Sequence, residues 1–256
     1  RWFGYQSMPS IGLVMDAEAN PFGSSIKRIN LIEGSSSMTS YFGIVPSESL
    51  HQDIQLAQSM RDSKEPQYPL RDKISLQLTD ELIDTMLVQL VQKFPASEKR
   101  DTTEELANKI RSIVSTMMKQ MLGKTSNEQV LESLDFMEKS LFTDNAGQQR
   151  IGLVLPDSLV SEMKKSFAEV EAGNGKAQRE NLTQLFKTFS DAQIKYFMTD
   201  FNKTLGLGMV KRGIASVATS AVETAVHIVI KKLIPSLSQQ ELLVFTQHFD
   251  QLLIQK

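Results

Sequence analysis

Two stretches near the C-terminal end, 190–205 and 238–253, carry one pattern. Each opens on a serine, Ser190 or Ser238, with Gln193 or Glu241 three residues later. A serine oxygen can accept from a backbone N–H of the first helical turn. The Gln or Glu can reach back to the serine's own N–H, which closes a capping box. Ile194, Phe197, Phe201 and Leu205 then recur at steps of 3, 4 and 4, as do Leu242, Phe245, Phe249 and Leu253. Each set falls on one helical face. The pattern predicts two similar capped helices that bury Phe-rich faces in one core. It predicts architecture and no chemistry.

Helical periodicity runs through most of the chain beyond about Asp72. Thr79 followed by Asp80 and Glu81 is a helix start with acids at the positive end of the dipole. Its stripe is Ile83, Leu87, Leu90, Val91 and Phe94, and Pro95 stops it. Asp101 with Glu104 opens a second helix, whose stripe includes Ile110, Val114, Met117 and Met121 before Gly123. Ser126 with Gln129 opens a third, carrying Val130, Leu134, Met137 and Leu141. Residues 145–147 end this block and mark a subdomain boundary. Further helices are expected over 159–170, 177–189, 190–205, 209–234 and 238–254, with glycines at 173, 175, 206 and 208 as breaks.

Residues 1–70 differ in texture, holding five of the eight prolines together with Gly-Ser stretches. Short β-like runs occur at 11–15, 26–32 and 41–45, and a short helix is expected near 49–60. Three segments, 11–14, 42–45 and 151–154, share an apolar–Gly–apolar–Val pattern. In the last two a proline follows and then a helical run, as for extended segments that feed helix caps. The expected fold is mainly α: a bundle of seven to eight amphipathic helices behind an irregular, partly extended N-terminal region. The expected divisions are 1–70, a helical subdomain at 71–147, and one at 148–256 that contains the internal repeat.

Composition narrows the function classes. With no cysteine, disulfides, thiolate metal sites and Cys nucleophiles are excluded, and an oxidising compartment such as the periplasm is compatible. A net charge of −2, from 28 basic and 30 acidic residues, gives no global pull toward nucleic acid. The cluster Arg1, Trp2, Phe3 and Tyr5 has the basic-aromatic character of a membrane interface, so a tether preceding Arg1 is an expectation.

The candidate sites are few. The segment between Arg212 and Lys231 holds only Glu223 and His227 as ionisable groups and approaches a membrane span in length. Polar residues on one face and apolar ones on the other instead predict the long central helix of a soluble bundle. Glu223 and His227 lie one turn apart and could join His248 in a carboxylate–His–His metal set. Residues 173–176 and 206–213 lack the spacing of phosphate-binding loops, and no nucleophile elbow occurs. Phe197, Phe201, Phe245, Phe249, Met117 and Met121 could line an adaptable apolar groove, the alternative being ordinary core.

Phe189, Ser190, Gln193, Ile194, Phe197, Phe201, Gly206 and Met209 together resemble the short helical motif of a family of small bacterial periplasmic proteins of unknown function. That family shows Phe-Thr, an acid, Leu, an aromatic pair, a glycine and a closing apolar residue at similar spacing. Phe201 and Thr204 stand where it has Tyr-x-x-Pro. The resemblance covers residues 189–209 and implies a helical fold in the bacterial envelope, with no known activity.

These readings combine into one expectation: a non-catalytic helical interaction or assembly module of the envelope, with a protein partner or self-association and no cofactor. The alternative is a carrier of a lipid or other apolar ligand. A hydrolytic or metal-dependent enzyme is third.

Overall fold

Phe42-Gly43-Ile44 and Ile151-Gly152-Leu153 set a glycine between bulky apolar residues, which lets two backbones approach closely at that point. The computed structural model describes residues 38–256 and shows that approach. Strand β1 (Ser40–Ile44) pairs antiparallel with β3 (Gln149–Leu155), and Gly43 lies opposite Gly152. A Cβ on Gly152 would collide with the Phe42 carbonyl oxygen, closer than any side chain permits. Strand β2 (Leu141–Thr143) extends the sheet beyond β3, and β4 (Leu253–Gln255) extends it beyond β1, giving the antiparallel order β2-β3-β1-β4.

The remainder is helical. After β1 come α1 (Glu48–Ser59), α2 (Tyr68–Ile83), a π-helical turn (Asp84–Val88), α3 (Gln89–Gln92), α4 (Glu98–Met121) and α5 (Asn127–Lys139), then β2. After β3 come α6 (Asp157–Glu169), a π turn (Val170–Asn174), α7 (Gly175–Ile194), a π turn (Lys195–Asp200), α8 (Phe201–Lys203), α9 (Met209–Ser236) and α10 (Gln239–Asp250), then β4.

The second half therefore repeats the element order of the first. Apart from the π turn between α6 and α7, each half runs strand, short helix, long helix ending in a π turn and a stub, longest helix, capped helix, strand. Gly43 of the first half corresponds to Gly152 of the second, and the capping serine Ser126 corresponds to Ser238. Burial follows the same correspondence: Thr103 and Ile110 of α4 are buried, as are their counterparts Ala215 and Val222 of α9. Antiparallel pairing of equivalent strands places a local two-fold between Gly43 and Gly152. The equivalent helices α4 and α9 likewise pack against each other.

Local chemistry sets the helix starts. Ser47, Ser97, Ser126 and Ser238 each sit in extended backbone and accept from the N–H three residues on. At Ser238 the box closes, because Glu241 accepts from the Ser238 N–H at 2.7 Å. The mainly α bundle is as expected, but several boundaries are not. Ser190 lies inside α7, where its hydroxyl donates to the Lys187 carbonyl. The backbone before it is already helical, so no free first-turn N–H remains to cap. Residues 190–205 and 238–253 thus share a periodicity without occupying equivalent places. Thr79 is likewise interior to α2, which starts at Tyr68 with Pro69 in its first turn. Ser97, not Asp101, caps α4.

The boundary expected at 145–147 falls in the β2–β3 hairpin turn. There the Asp144 carboxylate accepts from the Ala146 and Gln148 N–H groups, and Gly147 takes φ 81°. Residues 38–256 form one compact unit. Residues 253–255 end the chain as strand rather than helix because they complete the sheet edge beside β1. The β-like runs at 11–15 and 26–32, the Arg1–Tyr5 cluster and any tether lie outside the described residues.

Two glycine substitutions separate close approach from ordinary helix propensity. Gly152→Ala should cost about 3 kcal/mol or more, because the new methyl meets backbone that cannot yield. Gly213→Ala, with nothing within 4 Å of the new Cβ, should stabilise by roughly 0.5–1 kcal/mol. Urea denaturation of both variants checks the contrast.

Candidate functional site

Most of the proposed groove residues are core. Phe245 and Phe249 pack on Phe186 with ring centroids 4.5 and 4.6 Å away, and Phe189 bridges this cluster to Phe42 of β1 at 5.5 Å. Met117, Met121 and Phe201 are also buried. Phe197 differs. Half-buried on the π turn after α7, it lines a cavity of about 130 Å3 between α2, α4, α7 and α9. Leu82, Met86, Ile110, Met118 and Val222 supply much of the rest of the wall. The π turn that follows α2 contributes Met86 and Leu87, and the one that follows α7 contributes Phe197 and Met198.

Among the described residues, Thr79, Ser190 and Gln193 are the polar ones that line this cavity. The two hydroxyls are committed to their own helices, donating to the Ser75 and Lys187 carbonyls at 2.7 and 2.8 Å. Gln193 is 6% exposed, and neither its Oε1 nor its Nε2 has a partner among the described residues. A buried amide without partners costs free energy on the order of 1–3 kcal/mol.

A second cleft of about 760 Å3 runs along α9, walled by Asn202, Lys203, Arg212, Ser216, Thr219 and Glu223 among others. Glu223 also belongs to a cluster with Asp191 and His227, whose ligating atoms lie within 4.8 Å of one another. His227 Nε2 is 2.6 Å from Asp191 Oδ1. One imidazole and two carboxylates form a donor set that suits a divalent cation such as zinc.

His248 is not part of that cluster. It sits on α10, 4% exposed, with Nε2 2.8 Å from the Thr85 carbonyl and Nδ1 2.8 Å from Lys93 Nζ. A carbonyl can only accept and an ammonium can only donate, so Nε2 carries the proton and Nδ1 accepts. Burial pushes the imidazole pKa down, Lys93 adds to the depression, and the Thr85 bond opposes it. The expected set therefore splits: Glu223 and His227 stay together, and Asp191 takes the place of His248. Sequence spacing could not supply Asp191, which reaches the others only because α7 packs on α9.

The remaining feature is the outer face of α9. Met209, Val210 and Val217 are 87%, 77% and 73% exposed, and Ile214 and Ile228 are exposed on the same side. Helix α9 is long and apolar enough to cross a membrane, yet only 11% of its most apolar window is buried. Compared with protein families, curated proteins and solved structures, the chain matches none.

His248 makes stability depend on pH. Its folded pKa lies below the usual 6.5, so the unfolded chain takes up the proton first as pH falls. The contribution is complete above about pH 6.5 and is lost as pH drops below it through the folded value. Thermal unfolding between pH 8 and 5 should show that decline, and His248→Gln should flatten it.

Proposed function

We propose that this chain is a non-catalytic interaction module that docks a protein partner along the outer face of α9. The observation that supports the reading is a contrast within the chain. Positions 98, 102, 105, 109 and 116 on the solvent side of α4 are Glu, Thr, Glu, Lys and Thr. Their counterparts on α9, in the correspondence that matches Ser126 to Ser238, are Val210, Ile214, Val217, Ala221 and Ile228. The fold tolerates polar residues at these places, so their apolar character on α9 answers no demand of the core. Covering a Val or Ile side chain fully is worth roughly 1.5–3 kcal/mol, which makes such a stripe an adequate docking face.

Charge indicates what kind of partner fits. Lys231 and Lys232 are exposed at the end of the stripe and have no ion-pair partner among the described residues. An antiparallel second copy of α9 would set them against Lys211 and Arg212, which repels. A partner helix with an apolar face and acidic residues near one end is complementary. A membrane span is the weaker reading, because extracting α9 would uncover the face that packs on α4 and α7. The resemblance of residues 189–209 to periplasmic helical proteins supports an envelope setting for that partner.

The test restores to α9 the polarity of α4. Val210→Glu and Val217→Glu are exposed and should leave stability within about 0.5 kcal/mol of the parent. Crosslinking from a photoreactive residue at position 214 in cells should capture one acidic partner with the parent and none with the double variant. Equal capture by both would remove the α9 face from the reading, and capture of a second copy of this chain would contradict the charge argument.

A further inference from the structure

Asp191, Glu223 and His227 meet where α9 packs on α7, apart from the outer stripe of α9. At about 100° per residue, His227 lies roughly a quarter turn around the helix from Ile228 of that stripe. We propose that these three side chains bind one divalent cation of the zinc class and so clip α7 to α9. Glu223 and His227 are one turn apart on α9 and share a face, and α7 brings Asp191 against them.

The first half indicates what charge belongs at this place. There Arg111 of α4 pairs with two acids at the end of α2, Asp80 at 3.0 Å and Asp84 at 2.8 Å. In the correspondence that matches Ser126 to Ser238, Glu223 stands where Arg111 does and His227 where Ser115 does. Asp191 stands where Asp80 does, since each lies four residues before the π turn that closes its helix. An Asp–Arg pair in one half is thus an Asp–Glu pair in the other. The protein's own cation is gone, and a carboxylate and an imidazole surround its place. Among the described residues, neither Asp191 nor Glu223 pairs with a Lys or Arg, and Lys195, one turn on from Asp191, is held by Asp200 at 2.8 Å. Two carboxylates this close repel unless a positive charge comes between them, and a bound cation supplies it.

Geometry and donor type narrow the ion. Tetrahedral coordination with bonds of about 2.0–2.2 Å sets ligand atoms roughly 3.4 Å apart. The three candidate atoms lie within 4.8 Å of one another, and the closest pair, His227 Nε2 and Asp191 Oδ1, is 2.6 Å apart. Side-chain rotation closes that difference with both helices in place. His227 Nδ1 makes no hydrogen bond among the described residues, so it can carry the ring proton while Nε2 presents its lone pair. The imidazole favours zinc and its neighbours over magnesium and calcium, which prefer oxygen alone. Three protein ligands leave one position for water, and Glu223 borders the cleft of about 760 Å3 that gives access to it.

Isothermal titration of the chelator-treated, dialysed chain with zinc chloride should show a single saturable site that excess magnesium does not occupy. Zinc should also raise the thermal midpoint in step with its free concentration. His227→Ala and Glu223→Gln should each weaken binding by more than the roughly tenfold that loss of an outer-shell partner costs. Replacing His51 of α1 should leave the affinity unchanged. Glu223→Arg restores the arrangement of the first half. It should abolish zinc binding while its metal-free midpoint holds or rises, because the guanidinium can pair with Asp191 as Arg111 pairs with Asp80. That midpoint separates lost ligation from lost fold. No saturable zinc binding by the parent, binding that survives His227→Ala or Glu223→Arg, or a lower metal-free midpoint in Glu223→Arg would overturn the assignment.

Discussion

Everything in this fold hangs on two glycines facing one another. β1 and β3 can pair at the observed register only because Gly152 carries no side chain, a Cβ there colliding with the Phe42 carbonyl oxygen; a Cβ on Gly43 would stand 2.5 Å from the Phe142 ring of β2. That pairing joins the two halves of the chain through their backbones. Arg150 fastens the same spot, donating to the Gly43 carbonyl at 3.0 Å and to the Asp144 carboxylate at 2.7 Å. The Arg150 bond, helped by backbone N–H groups of the turn, holds the Asp144 carboxyl below its usual pKa. On the other side β4 returns to β1, and Thr39 and Lys256 exchange both backbone hydrogen bonds. One four-stranded sheet thus collects both ends of the described chain and the junction between its halves.

A repeated architecture makes each half a control for the other. Features present in both answer to the fold: the capped helix before the outer strand, the π turn after the second helix, and the buried positions shared by α4 and α9. Features present in one half need another cause. Gln193 in the cavity, the Asp191–Glu223–His227 cluster and the apolar outer stripe of α9 all belong to the second half.

What the sequence made legible was local. Ser126 with Gln129 and Ser238 with Glu241 were readable as caps because the residues that satisfy them lie within one turn. Ser190, Thr79 and Asp101 present the same side chains, but helix already precedes them, and only packing decides that. The strand pairing joins segments far apart in the chain and left one trace, the shared Phe/Ile–Gly–Ile/Leu–Val pattern of β1 and β3. The π turn at 195–200 interrupts the ladder of residues 194–205. Phe197 reaches the cavity and Phe201 packs on Phe136 at 5.6 Å, yet both border one small gap beside Leu78 and Met137.

Helix α9 illustrates the same limit from the other direction. A long helix rich in apolar residues is ordinarily a core helix or a membrane span, and composition cannot separate the two. One face, through Ala215, Val222 and Ile234, closes the core against α4 and α7, and the opposite face carries Val210 and Val217 into solvent. Positions 98, 102, 105, 109 and 116 on the outer side of α4 are polar, and their counterparts on α9 are apolar. A substitution pattern confined to the solvent side adds nothing to the stability of an isolated molecule and leaves its surface less soluble. In the proposed reading that side is covered by a partner, and Lys231 and Lys232 at its edge are the electrostatic complement of an acidic one.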